Sequence, residues 1–344
     1  MKILVIRNDK LGDFVQAFPA FAQLKAANPA IQLTALVPAY TAPLAQICPF
    51  LDDIIIDSKK DDKNDFKRLL KEIKQQKFDA MISFVSDVHN AKIALFAGIP
   101  YRLAPATKLI QFVYNQRLTQ RRSRSEKAEF EYNQDLVSRF LKDHKIIPES
   151  NPQAPYLTFD NALLVEQKKK LVQQLKLDEQ QKWIFVHSGS GGSATNLSLN
   201  QYAALIQGLL TEFNCQVVLT AGPNESAQAH QLAELINHEN VRIYDKNEGL
   251  VDFAHSLACA NLFIAGSTGP LHLSGALNIP TIGFYPSRRS ALPIRWRPIN
   301  DAEKHIAFCP PKGKETQMNL GLIDIPQALR QIIPFVRKMW QLAD

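Results

Sequence analysis

The chain has 344 residues, 46% of them hydrophobic and 21% charged, with a formal net charge of +7 and a pI near 9.1. That length and composition suit a globular protein of two ordinary domains with real cores, and the positive balance favours acidic partners such as a phosphorylated substrate or an anionic membrane face. No apolar run approaches the ~20 residues that span a bilayer, no signal-peptide core precedes the first strand, and the four widely spaced cysteines offer neither a disulfide framework nor a zinc site, so a cytosolic protein is expected.

The first half alternates strand and helix. Residues 3–7 form a continuous apolar strand, and helical spacing of Phe14, Ala17, Phe18, Phe21 and Leu24 predicts a helix over 14–27. Strands follow at 31–37, 54–57 and 79–85, with helices at 64–77 and 88–97. A Lys- and Gln-rich helix at 161–177, after a Pro-bearing segment at 148–155, reads as the connection between domains. The same units then recur, with strands at 183–189, 215–222, 241–245, 262–266 and 281–285, and helices at 199–213, 224–237, 250–259 and 270–277. Residues 326–342 read as a final amphipathic helix. Near-continuous apolar strands separated by helices imply parallel sheets covered on both faces.

Five places carry candidate chemistry. The turn Gly266-Ser267-Thr268-Gly269 joins a strand to a helix whose first turn holds Pro270, so it presents backbone N–H groups and two hydroxyls at a helix N-terminus, a site suited to phosphate or pyrophosphate. His272 lies inside the same turn. The run His187-Ser188-Gly189-Ser190-Gly191-Gly192-Ser193 also follows a strand; it lacks the Walker A and dinucleotide spacings, yet it is a plausible second wall of a diphosphate pocket. Asp13, after Gly12 at the carboxyl end of the first strand, is placed to act as a general base or simply to favour a helix start, with Asp9 as the second choice. Glu225 follows Ala221-Gly222-Pro223-Asn224; a carboxylate there can accept two hydrogen bonds from a vicinal diol. The segment Asn115–Lys127 is the densest basic run, with Arg117, Arg121, Arg122, Arg124 and Lys127, and reads as a mobile loop able to grip phosphates. Lys10 is a further candidate for holding an anionic acceptor. Nothing resembles a nucleic-acid module, and no His, Asp and Glu cluster has metal-ligand spacing, so neither nucleic acid nor a metal or other cofactor is expected.

Two of these motifs carry a resemblance. Ser267-Thr268-Gly269-Pro270-Leu271-His272-Leu273, with its following helix, Pro and short apolar strand, resembles the donor-binding motif of the bacterial ADP-heptose:lipopolysaccharide heptosyltransferases, glycosyltransferase family 9. Lys2–Asp13 and the next twelve residues resemble that family's opening strand, Gly-Asp turn and first helix, and the blocks between also fit. The resemblance implies an α/β fold of GT-B type, two Rossmann-like domains with parallel sheets facing a central cleft. Residues 1–160 would bind the acceptor and 161–325 the nucleotide sugar, and the helix in 326–344 would return to pack on the first domain. It implies inverting transfer of heptose from ADP-L-glycero-D-manno-heptose to the inner core of lipopolysaccharide at the cytosolic, anionic face of the inner membrane. Asp13 would be the base. Ser188, Gly189, Ser190, Gly191, Ser267, Thr268, Gly269 and His272 would hold the donor, with Glu225 on its nucleoside, and Lys10, Arg117, Arg121, Arg122 and Arg124 would meet the acceptor. The chain departs from the family in having Ser267 where Asp is common and Thr195 where Lys or Arg is common near the diphosphate; Lys10, Arg288 or Arg289 are the substitutes on offer. The alternatives are another nucleotide sugar on the same fold, an epimerase that needs no acceptor, or a non-catalytic nucleotide-binding relative.

Overall fold

The computed structural model describes residues 1–57, 62–107, 109–191 and 195–342. Gly192 and Ser193 of the glycine-rich run therefore lie outside the described residues. The chain divides into two compact units, one of 1–122 with 126–156, the other of 123–125 with 157–344.

The first unit holds a parallel sheet of β1 (Lys2–Ile6), β2 (Gln32–Pro38), β3 (Asp53–Asp57), β4 (Ala80–Ser83), β5 (Tyr101–Pro105) and β6 (Gln116–Leu118), in the order β3-β2-β1-β4-β5-β6. The second repeats the plan with β7 (Lys182–His187), β8 (Cys215–Thr220), β9 (Val241–Tyr244), β10 (Leu262–Gly266), β11 (Thr281–Phe284) and β12 (His305–Phe308), in the order β12-β11-β10-β7-β8-β9. Every strand pair is parallel. The central strands are apolar on both faces because helices cover both. Each unit is thus the doubly wound α/β sheet expected from the sequence, with a switch point between β1 and β4 in one and between β7 and β10 in the other. Ligands of such sheets gather at the carboxyl ends of the strands beside that point.

Local differences from the sequence reading have local causes. The first helix is two, Leu11–Val15 and Phe18–Ala27, because Pro19 opens a new helix in a position where its missing N–H does no harm. Strands β6 and β12 are short and lie at sheet edges, and these two and β5 beside β6 lack the long apolar run that marks β1 or β10. Part of the basic segment read as a mobile loop is β6 itself, which pairs Arg117 with Ala104 of β5.

The final helix, Ile325–Trp340, belongs to the second unit. Its stripe Ile325, Ala328, Ile332 and Val336 is buried in one core with Ile206 and Leu209 of the helix Leu199–Glu212 and with Phe308 of β12. Gly208 lets the two helices approach closely, since a Cβ there would sit 2.5 Å from Leu329 Cδ1. Arg337 pairs with Glu212, and the Trp340 indole donates to Asn261 O (3.2 Å). The apolar face is used up inside the second unit. Ile332→Ala should destabilise that unit by about 2–4 kcal/mol, read as a lower urea midpoint for the second unit.

Candidate active site

In the first unit the turn after β1 carries the chemistry. Arg7 lies one residue beyond the strand and is buried, with 3% of its surface exposed. Its Nη2 donates to Asp13 Oδ1 (2.6 Å), and Nη1 donates to Phe84 O (3.3 Å) and Glu129 Oε1 (3.4 Å). Nε sits 3.1 Å from Asp9 Oδ1, an ion pair without hydrogen-bond alignment. Arg122 joins the same cluster, its Nη1 donating to Glu129 Oε1 (2.7 Å) and to Phe84 O (3.1 Å). Two guanidiniums thus face the three carboxylates of Asp9, Asp13 and Glu129. Burial works against the Arg7 charge, but those carboxylates more than offset it and hold the guanidinium above its ordinary range. Burial pushes the Asp9 carboxyl up to about 6, Arg7 opposes this and Asp13 adds to it. Below that pH a proton on Asp9 balances the charge of two guanidiniums and three carboxylates.

Asp13 sits in the first turn of the helix Leu11–Val15, where a carboxylate also meets the positive end of the helix. Arg7 fixes its Oδ1, and Oδ2 has no hydrogen-bond partner among the described residues. A second buried network pins the other side of the turn. Asn8 Nδ2 donates to Asp57 Oδ2 (2.5 Å) at the end of β3 and to Asn90 Oδ1 (2.9 Å), while His89 Nε2 lies 3.1 Å from Asp57 Oδ1. Sequence reasoning missed Arg7, Glu129, Asn8 and Asp57. The available signal was a charged residue ending an apolar strand, followed by Asn-Asp.

The basic candidates separate. Lys10, Arg117 and Arg121 are exposed. Arg117 lies over the Phe112 ring, 5.3 Å from its centre. Arg122 lies in the buried ion cluster, where Glu129 and Phe84 take its Nη1. Arg124, assigned from sequence to the first domain, groups with the second unit, where its carbonyl accepts from Arg289 Nε (3.1 Å).

In the second unit three adjacent strands, β10, β7 and β8, deliver the candidate turns side by side. Ala265 pairs with His187, and His187 with Thr220. After β10, the Ser267 N–H donates to Phe284 O (3.1 Å), and the Thr268 N–H and hydroxyl both turn back to Gly266 O (2.7 and 3.3 Å). Thr268 therefore does not cap the helix Gly269–Ala276. The Gly269 and Leu271 N–H groups lie in a first turn, where no intrahelical acceptor exists, so an incoming anion can take them. His272 is buried in this turn.

The glycine-rich turn after β7 holds an anion of its own. Glu225 Oε1 accepts from the Gly191 N–H (2.7 Å) and Oε2 from the Gly222 N–H (2.9 Å). A Cβ on Gly189 would lie 2.2 Å from the Glu225 carboxyl carbon, so the glycine clears the space this carboxylate fills. The turn read from sequence as a phosphate wall has its Gly191 N–H committed to Glu225. His187 Nε2 lies 3.4 Å from Glu225 Oε2, and Nδ1 lies 3.0 Å from Thr220 Oγ1. Burial lowers the His187 pKa against the pull of Glu225. The Thr220 hydroxyl also donates to Val186 O (3.3 Å), so its one proton is shared between that carbonyl and Nδ1.

Asn196 was also missed. Its Nδ2 donates to Ser188 O (2.7 Å) and Gly189 O (3.2 Å), and its Oδ1 accepts from Tyr202 OH (2.7 Å). A Cβ on Gly266 would lie 2.6 Å from that Oδ1. One amide thus ties the turns after β7 and β10 together. Thr195 beside it is exposed. Among the described residues no group of three or more His, Cys, Asp or Glu side chains is placed to hold a metal ion.

The raised Asp9 pKa has a testable sign. A folded-state pKa of about 6 against an ordinary 3.8 means the folded protein binds this proton more tightly than the unfolded chain. The site's contribution to stability therefore grows as pH falls through about 6 and is complete below about 4. Thermal melts of wild type and Asp9→Asn from about pH 7 to about pH 5 should show the variant's advantage shrinking as the pH is lowered. A constant difference would remove the assignment.

Comparison with known proteins gives a consistent placement. Residues 66–320 match the model of glycosyltransferase family 9 (heptosyltransferase). A Haemophilus influenzae protein named as a glycosyltransferase without a stated substrate is 68% identical over 343 residues, covering 100% of this chain and 99% of its own. Lipopolysaccharide heptosyltransferase 1 of Campylobacter coli is 25% identical over 320 residues, covering 89% of this chain and 91% of its own. The solved ADP-heptose lipopolysaccharide heptosyltransferase II of E. coli superposes with a TM-score of 0.77 at 19% identity, over 98% of this chain and 99% of that one. With doubly wound sheets in both units and a family match over most of its length, the chain belongs to glycosyltransferase family 9 and is a glycosyltransferase of the heptosyltransferase type.

Proposed function

We propose that the protein moves a heptose from ADP-L-glycero-D-manno-heptose to the inner core of lipopolysaccharide, with inversion at the anomeric carbon. Asp13 carries the reading. Its Oδ1 is fixed by Arg7 at 2.6 Å while Oδ2 keeps a lone pair for a proton. In the reaction Oδ2 takes the proton of an acceptor hydroxyl, that oxygen bonds to the anomeric carbon, and the bond from that carbon to the diphosphate oxygen breaks, its electron pair leaving with ADP. Arg7 is too buried to meet solvent, so its part is to orient the carboxylate.

The second unit takes the donor. The N–H groups of Gly269 and Leu271 at the uncapped helix are suited to the diphosphate. Glu225, held open by Gly189 and fixed by Gly191 and Gly222, accepts from the ribose hydroxyls. Lys10, Arg117 and Arg121 are the exposed cations for acceptor phosphates. The names of the relatives support ADP-heptose and lipopolysaccharide as the substrate pair. No described helix is long and apolar enough to cross a membrane, and the chain works as a peripheral protein on the cytosolic face of the inner membrane. A second reading rests on Ser267: with a hydroxyl where relatives often have a carboxylate, the donor is another nucleotide sugar on the same base and diphosphate sites.

Purified protein given ADP-heptose should release ADP only when heptose-less core acceptor is present. Asp13→Asn should lower this turnover by about two to four orders of magnitude. Release without acceptor would instead indicate an epimerase or hydrolase. ADP binding with no turnover on any nucleotide sugar would leave a binding protein.

Gly189→Ala should keep the fold, because the group it meets is the end of a flexible side chain, but it should evict Glu225 from the Gly191 and Gly222 N–H groups. ADP titration by calorimetry should then show a loss of about tenfold or more, matching Glu225→Gln. Equal binding by all three proteins would remove Glu225 from the nucleotide site.

A further inference from the structure

A tyrosine at a protein surface ordinarily lays its ring against the core and leaves its hydroxyl in water. Tyr40 does the reverse. The residue is 55% exposed, yet its hydroxyl is bonded to the main chain. Single exposed apolar residues are normal and call for no explanation. What sets Tyr40 apart is where its hydroxyl is tied.

Strand β2 lies beside β1, with Leu36 opposite Ile6, and the Arg7 N–H donates to Leu36 O (3.3 Å). Just beyond β2, Pro38 O accepts from both the N–H and the hydroxyl of Thr41 (3.0 Å each). That closes a tight turn with Ala39 and Tyr40 at its corner. Thr41 and Ala42 are buried, so the corner itself faces outward. From there the Tyr40 hydroxyl crosses to the neighbouring turn and donates to Asp9 O (2.7 Å). The Leu11 N–H meets the same hydroxyl oxygen. Leu11 opens the helix Leu11–Val15, and its N–H has no acceptor within that helix. One hydroxyl thus clamps both sides of Lys10 in the turn that delivers Asp13. Burial pushes the phenol up to about 12, the charges of Asp9 and Asp13 add to this, and the Leu11 N–H opposes it.

With its donor and an acceptor position in use, the hydroxyl has little left for a ligand. What Tyr40 offers outward is the face of a ring fixed beside Asp13. We propose that this face is the platform on which the acceptor sugar lies, its C–H groups against the ring while one of its hydroxyls reaches Asp13. A pyranose combines a side of C–H groups with a rim of hydroxyls, and a flat π face next to a carboxylate answers both. The face of an aromatic ring is negative, so it disfavours a phosphate in the same place. Tyr40 is then an acceptor-binding residue. The inference rests on the proposed function in one respect, that Asp13 is the base for a sugar hydroxyl.

The test compares Tyr40→Phe with Tyr40→Leu. Both lack the clamp, so any loosening of the turn is common to them, and only Phe keeps the ring. In transfer from ADP-heptose to heptose-less core, Tyr40→Leu should raise the acceptor KM roughly tenfold over Tyr40→Phe, with kcat and the donor KM of the two within about threefold. Saturation-transfer NMR on the delipidated core saccharide, with no donor present, should mark the C–H protons of one sugar in wild type and Tyr40→Phe and lose them in Tyr40→Leu. Equal acceptor KM in the two variants, or a difference confined to kcat or to ADP affinity, would overturn the platform. The two readings part cleanly. Heptose transfer with a ring-independent acceptor KM sinks only the platform. Ring-dependent saccharide binding without transfer from ADP-heptose sinks only the heptose donor. A saccharide that wild type neither binds nor glycosylates sinks both.

Discussion

A guanidinium taken out of water at the end of β1 sets the terms for the first unit. Arg7 can stay charged there only because Asp9, Asp13 and Glu129 surround it, and those carboxylates can be buried only because Arg7 and Arg122 are present. The groups come from the turn after β1, the segment after β6 and the helix that follows. Their mutual dependence locks the turn after β1 to the distant stretch 122–129 at the carboxyl end of the sheet. A consequence is that Asp13 is held in one orientation by an interaction through a single oxygen. Such fixation is what a base needs when its task is to meet a hydroxyl at a defined place.

The second unit solves a related problem with backbone instead of side chains. Two glycine N–H groups fix the Glu225 carboxylate, and the missing Cβ of Gly189 makes room for it. Asn196 then joins this turn to the one after β10. Neither unit leaves its acidic group loose. Asp13 follows β1, which flanks the switch point of its sheet; Glu225 follows β8, one strand away, and its carboxylate reaches the turn after β7.

Residues 88–127 hold a net charge equal to that of the whole chain, but folding disperses it: Arg122 pairs with Glu129, Lys127 with Asp135, and Arg124 groups with the second unit. That stretch also leaves Val88, Leu95, Phe96, Leu109 and Phe112 exposed, as Tyr40, Ile147, Val165 and Ile294 are elsewhere.

Much of this was legible in the sequence. The near-continuous apolar strands β1, β7, β8 and β10, the Pro at the start of the helix after β10, and the position of Asp13 and Glu225 after their strands all follow from local chemistry. So do the doubly wound sheets, because period and turn residues are properties of short windows. What the sequence could not supply were partnerships between residues far apart in the chain. Arg122 and Arg121 are neighbours of one type, yet only Arg122 meets Glu129, and only folding makes one structural and leaves the other exposed. The glycine-rich turn looked like a phosphate cradle because glycine frees N–H groups for any anion, and tertiary structure chose Glu225 as that anion. The last helix shows an apolar stripe in any frame, but the close approach at Gly208 decides which surface receives it. Local sequence determines which groups are offered; burial, by removing water as the alternative partner, decides which of them must pair.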